Sequence, residues 1–180
     1  MIYFITGNKD KFEEASKIID NLEQLDLDLP EIQELDPKEI IREKLNEALK
    51  HQEGEFIVDD TSLHLDCLNG LPGPLIKWFM DRLGRQGVYD LCKRLGNHGV
   101  TAKTIVGYSN GGQTLFFEGL LKGLIVEPRG DHFGFDPIFK PIGYERTLAL
   151  MSVEERNKIK MRGQALRKLK DYLNQEQLSS

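Results

Sequence analysis

The stretch Phe56–Pro74, FIVDDTSLHLDCLNGLPGP, decides how the chain is read. Phe56-Ile57-Val58 is a short run of aromatic and β-branched residues, the pattern of a buried strand. It ends abruptly in Asp59-Asp60-Thr61. Two adjacent carboxylates at the C-terminal end of a buried strand are costly to desolvate unless something offsets their charge. In an open α/β sheet that end faces the ligand crevice. The simplest offset is a divalent cation such as Mg2+, which takes carboxylate oxygens. The competing reading is a turn-forming Asp-Asp-Thr with solvated side chains. Beyond it, Leu63 and Leu65 alternate with His64 and Asp66 as on a half-buried strand, with His64 toward solvent. Gly70-Leu71-Pro72-Gly73-Pro74 is a rigid turn cluster.

Upstream, Ile2–Ile5 reads as a first buried strand. It runs into Thr6-Gly7-Asn8-Lys9-Asp10-Lys11 and then a helical pattern of Phe12, Ala15, Ile18, Ile19 and Leu22. Amides at such a helix start form an anion site, to which Lys9 and Lys11 add charge. The same geometry also fits an ordinary strand-to-helix turn, and the GxxxxGK[ST] phosphate loop is absent. Leu25–Leu29 reads as a second short strand, followed by an extended connector through Pro30 and Glu31. Asp36-Pro37-Lys38-Glu39 is a helix start with Asp36 as N-cap, Pro37 at N1 and Glu39 able to reach back. Ile40, Ile41, Leu45, Ala48 and Leu49 give that helix its buried stripe. Lys44 beside the stripe is either a snorkelling side chain or a pocket lysine.

Downstream, Leu75–Met80 reads as a short helix carrying Lys77, either another edge cation or a ligand-facing one, and Val88–Leu95 reads as a second helix. Thr101–Tyr108 and Thr114–Leu121, joined through Asn110-Gly111-Gly112, form a hairpin. Gly123–Val126 is a further strand or that strand's tail, so the sheet is expected to be mixed. In Pro128–Tyr144, PRGDHFGFDPIFKPIGY, Phe133 and Phe135 could stack on a flat base or pack into the core. Ser152-Val153-Glu154-Glu155 is a capping box. Leu166, Leu169 and Leu173 then share a helix face that docks on the core, and Gln175–Ser180 is expected to fray.

The 180 residues fit one domain, with 39% hydrophobic and 29% charged residues, enough to bury a core. A net charge of −5 argues against a general nucleic-acid-backbone binder. Cys67 and Cys92 sit in apolar segments and read as small core residues in a reducing, cytoplasmic compartment. No stretch reads as a signal peptide or a membrane span.

In this order the motifs resemble the Ham1 family, the inosine triphosphate pyrophosphatases. That family carries TGNxxK after its first strand, here Thr6–Lys11. It carries [DE]D[ST]xL…GxPG in the middle, here Asp59–Leu63 and Gly70–Gly73, and FG[FYW]DPxFxPxG later, here Phe133–Gly143. The resemblance runs from Ile2 to about Leu173. It implies an elongated α/β fold with a mixed central sheet flanked by helices, one domain over residues 1–180 with two lobes and a cleft between them, and a homodimer. It also implies Mg2+-dependent hydrolysis of deaminated purine triphosphates (ITP, dITP, XTP) to the monophosphate and pyrophosphate.

Carried over residue by residue, the resemblance makes Asp60 the catalytic acid position and a metal ligand, with Glu31 the second metal carboxylate. Thr6, Gly7, Asn8 and Lys11 would hold phosphates with Lys44, Thr61 and Lys77. Phe133, Gly134, Phe135 and Asp136 would flank base and sugar. Which of Asp59 and Asp60 acts as base stays open. The family's late KNxxSHR motif departs here to Arg156-Asn157-Lys158-Ile159-Lys160-Met161-Arg162. Arg156 keeps the charge but not the geometry of lysine. Met161 cannot donate a hydrogen bond to a purine oxygen, and Arg162 remains. The alternatives are therefore a nucleotide-binding protein with lost or altered turnover, or a pyrophosphatase with changed base preference.

Overall fold

A computed structural model describes residues 1–179. Among the described residues, seven strands and five α-helices follow one another: β1 (Ile2–Ile5), α1 (Lys9–Ser16), β2 (Leu22–Leu25), α2 (Pro37–His51), β3 (Glu55–Leu65), β4 (Pro72–Gly73), α3 (Ile76–Leu95), β5 (Gly99–Ser109), β6 (Thr114–Ile125), β7 (Phe139–Pro141), α4 (Val153–Ile159) and α5 (Met161–Ser179). The strands form one mixed sheet in the order β2-β1-β3-β5-β6-β7, with β4 paired to β3. β1 is parallel to both β2 and β3, while β4 and β7 run antiparallel to their neighbours.

The chain divides into two compact units. The first comprises residues 1–60, 104–119 and 161–180, and its core lies on both faces of β1 and β3. Alternation along β3 sends Ile57 to one face, against Ala15 of α1, Ile19 just after it, and Leu166 and Leu169 of α5. Phe56 and Val58 go to the other face, against Ile41, Leu45 and Ala48 of α2. Gly119 lies where α5 begins, and a Cβ there would stand 1.9 Å from the Met161 carbonyl oxygen. Backbone cannot step aside as a side-chain tip can, so Gly119→Ala is expected to destabilise the protein by about 3 kcal/mol in denaturant unfolding.

The second unit comprises residues 61–103 and 120–160. Cys67 and Cys92 meet in it as free thiols with sulfurs 3.7 Å apart. Burial, with the neighbouring Cys67 thiol, pushes the Cys92 thiol up to about 12. Among the described residues no helix is long and apolar enough to cross a membrane.

Several local expectations change in three dimensions. The Phe56–Val58 strand does not end at Asp59: β3 continues through both aspartates to Leu65. The first helix stops at Ser16 because Ile18, Ile19 and Leu22 serve the core from a turn and from β2. The second strand is Leu22–Leu25, the register that pairs with Ile2–Ile5, and not Leu25–Leu29. Asp36 caps α2 through Lys38 N, but Glu39 bonds Arg42 instead of reaching back. The two helices expected between residues 75 and 95 are present as the two helical segments of α3, which meet at the non-helical Gly84 and run closer together than expected. His64 is half-buried, with Nε2 2.9 Å from Ser62 Oγ. The Ser152–Glu155 capping box forms as expected. α5 includes Gln175–Ser179, and Ser180 lies outside the described residues.

Candidate active site

β1 stops at Ile5, and its register with β3 pairs Phe4 with Ile57. Asp59 and Asp60 therefore overshoot the C-terminal end of the parallel strand beside them, and this overshoot opens the position. Strand alternation then gives two neighbouring carboxylates opposite surroundings.

Asp59 shares the face of Ile57. It is buried, with Oδ1 2.8 Å from Lys11 Nζ and Oδ2 accepting from Arg162 Nε at 2.6 Å. Arg162 also donates to Glu14 Oε2 at 2.9 Å. Burial opposes the charge on Asp59, but the Lys11 ammonium and Arg162 guanidinium outweigh it and hold the carboxyl well below the usual carboxylate range. Asp59 is thereby a permanently charged clamp joining α1 to α5.

Asp60 shares the face of Phe56 and Val58, toward α2. Its Oδ2 is buried and has no hydrogen-bond partner. Burial pushes this carboxyl up to about 6. The charges of Lys44 and Lys11 oppose the rise, and those of Asp59 and Glu31 add to it. Lys44 Nζ lies 2.5 Å from Glu31 Oε1. The chain thus brings Glu31, Lys44 and Asp60 to one place, with Lys11 near enough to be felt. A buried acid with one vacant oxygen and a pKa near neutrality is poised to take a cation or a proton.

The other residues of this unit expected to hold phosphates sit at the start of α1. Asn8 caps the helix by accepting from Lys11 N at 3.1 Å, and Thr6 Oγ1 accepts from Asn8 N at 3.1 Å. Gly7 and Asn8 are exposed. Among the described residues no three His, Cys, Asp or Glu side chains form a metal cage. Two carboxylates, one with an orphaned oxygen, nevertheless fit Mg2+, which keeps several waters and is held by one or two carboxylates together with substrate phosphates.

In the second unit, Thr61 follows directly in β3 and is half-buried, and Lys77 is exposed in the first turn of α3. Phe133 is 83% exposed, whereas Phe135 tilts against Phe139 with ring centres 5.9 Å apart. Asp136 is buried, with Oδ2 2.8 Å from His132 Nδ1 and 3.8 Å from Lys160 Nζ. Arg156 donates to the carbonyls of Leu148 and Met151, a use of its guanidinium that braces the 148–151 turn. Met161 is buried. Glu14 was not singled out from sequence. Its one sequence signal is helical spacing, one turn after Lys11 on α1, and its partner Arg162 is 148 residues away.

A mixed α/β sheet with a lysine-flanked acid pair at the end of a parallel strand is the architecture of a ligand-handling α/β protein. The comparisons place it further. The Ham1 family model matches residues 2–172, so the chain belongs to the Ham1 family. The inosine triphosphate pyrophosphatase of Schizosaccharomyces pombe is 39% identical over 181 residues, spanning 97% of this chain and 96% of that protein. A Ham1 protein from Coxiella burnetii superposes with a TM-score of 0.85 at 25% identity, over 97% of this chain and 98% of its own. A nucleoside-triphosphatase / dITP/XTP pyrophosphatase from Mycobacterium abscessus superposes with a TM-score of 0.73 at 29% identity, over 93% and 97%. The mixed α/β sheet flanked by helices is the fold of these proteins.

Proposed function

We propose that the protein hydrolyses deaminated purine triphosphates (ITP, dITP and XTP) to the monophosphate and pyrophosphate, with Mg2+, and so cleanses the nucleotide pool. The observation that carries this reading is Asp60: a buried carboxylate with a vacant oxygen and a raised pKa, beside Glu31 and Lys44. Asp60 and Glu31 would hold the metal, which when bound supplies charge neutralisation for the phosphates and acidifies water. Asp60 orients the attacking water toward the α-phosphorus and takes its proton; Asp59, held charged by Lys11 and Arg162, is unsuited to that task.

A triphosphate brings about four negative charges, and clustered lysines with Mg2+ are the usual clamp. Lys11 and Lys44 each hold a carboxylate, so an arriving phosphate chain exchanges one anionic partner for another and leaves no buried cation bare. Thr6, Gly7 and Asn8 offer amides and hydroxyl to the same chain, with Thr61 and Lys77 assigned to it by family resemblance. Phe133, Gly134, Phe135 and Asp136 are assigned to base and sugar, and Arg162 to the base with Arg156 nearby in sequence. The homodimer and the cytoplasmic location are carried over from the family in the same way.

The alternative of lost or altered turnover is not favoured. Glu31, Lys44 and Asp60 are all present and gathered, and the 39% identical relative bears the name of a pyrophosphatase. The test is pyrophosphate release from a panel of ITP, dITP, XTP, ATP, GTP, CTP and UTP, with Mg2+ and with the metal chelated. Release is expected only with metal, with kcat/KM for ITP at least about 10-fold above ATP and GTP. Equal ratios would leave a pyrophosphatase of changed base preference. Binding without pyrophosphate would leave a nucleotide-binding protein.

A further inference from the structure

α3 is two helical segments that meet at a single non-helical residue. Gly84 has φ 66° and ψ 179°, a conformation essentially reserved for glycine. The interruption falls immediately before Arg85 and changes the direction in which the helix presents it. Arg85 then reaches the loop 131–136 of the same unit. Its Nε donates to the Gly134 carbonyl at 3.0 Å, and its Nη2 makes a short bond to the His132 carbonyl. Nη1 lies 3.7 Å from Asp131 Oδ1.

The two carbonyls flank Phe133. A planar guanidinium can bracket both at once, where a lysine ammonium offers no such fork. Below the bracket the loop is fixed again: Asp136 N donates to the Phe133 carbonyl at 3.4 Å, and buried Asp136 lies against His132. The product of this bracing is an outward phenylalanine. Exposing a large apolar ring forgoes the gain of burying it, and a braced loop cannot fold it away. A ring held rigidly in solvent loses little freedom when a flat partner stacks on it.

We propose that Arg85 is a positioning residue for nucleoside recognition: it fixes the pose of Phe133 so that the ring can stack on a purine base. This rests on the functional reading above, which assigns the loop to the base. Arg85 itself does not touch the nucleotide, since two of its nitrogens are spent on backbone carbonyls.

The test compares Arg85→Ala, Arg85→Lys and Phe133→Leu with wild type in three readouts: KM for ITP, calorimetric binding of inosine monophosphate, and inhibition by pyrophosphate. Arg85→Ala is expected to weaken inosine monophosphate binding and raise KM about 10-fold, with most of the change in KM and not kcat. Pyrophosphate inhibition, which reads phosphate contacts only, is expected to stay within about twofold. Phe133→Leu is expected to match Arg85→Ala, and the double variant to be no worse than either alone. Arg85→Lys is expected to fall between Ala and wild type; should Arg85→Ala fail to fold, this variant and Phe133→Leu carry the comparison. Unchanged monophosphate binding in the folded variants overturns the proposal, and so does equal weakening of monophosphate and pyrophosphate, which marks a merely structural role. Wild type that binds the monophosphate but turns over no triphosphate would sink the functional reading and leave the Arg85 comparison standing.

Discussion

Asp60→Asn is expected to lower kcat/KM for ITP by about 10^3-fold, the scale of a lost general base, while making the folded protein more stable at pH 7.5. Both effects follow from one fact. The Asp60 carboxyl is pushed from the ordinary aspartate value up to about 6, chiefly by burial. A carboxyl whose folded pKa is raised stabilises the fold when protonated, and that contribution is lost as pH rises from the unfolded value through about 6. Above that range the charged side chain costs the fold at most about 3 kcal/mol. Asparagine keeps the shape without the charge. The gain in unfolding free energy at pH 7.5 should therefore disappear below pH ~4, where wild type is neutral at this position too. Pyrophosphate release and denaturant unfolding at the two pH values check this. A variant that keeps kcat/KM within tenfold, or is less stable than wild type at pH 7.5, would contradict the role given to Asp60.

The neighbouring change, Asp59→Asn, should act in the opposite direction. It leaves Lys11 and Arg162 without their shared buried carboxylate, with Glu14 remaining on Arg162. Removing one partner of a buried ion pair costs about 3–5 kcal/mol, or a fall in Tm on the order of 10 °C for a chain of this size. Asp59 is held well below the ordinary range despite burial, because Lys11 and Arg162 outweigh it. Its contribution is therefore present above the unfolded aspartate pKa and lost as pH falls toward the depressed folded value. The gap between wild type and Asp59→Asn should be constant from pH 5 to 8 and narrow below pH ~4. A constant gap down to pH 2, measured by thermal melting, would show that the loss has a non-electrostatic cause.

Two consecutive aspartates are thus expected to carry opposite stability signs. One is held charged by Lys11 and Arg162. The other is pushed toward neutrality by burial and keeps one oxygen without a hydrogen-bond partner. Pairs of titratable groups driven apart in this way mark the division of labour in acid–base sites, and stability forgone at Asp60 is of the kind that function commonly requires.

The sequence by itself determined much of this protein. Hydrophobic runs located β1, β3 and the β5–β6 hairpin, and capping chemistry located the starts of α2 and α4, because these depend on neighbours within a few residues. The ordered motifs were sufficient to give the family and to single out Asp60, Glu31, Lys11 and Lys44. What the sequence left open was which partners Asp59, Asp60 and Lys44 have. Those depend on residues outside each local stretch: Arg162, 103 residues from Asp59, and Glu31, 13 residues from Lys44. Only the tertiary structure decided these pairings. A pleated strand turns adjacent side chains to opposite faces, and the helices packed on those faces bring cations to one carboxylate and leave the other with an unmet oxygen.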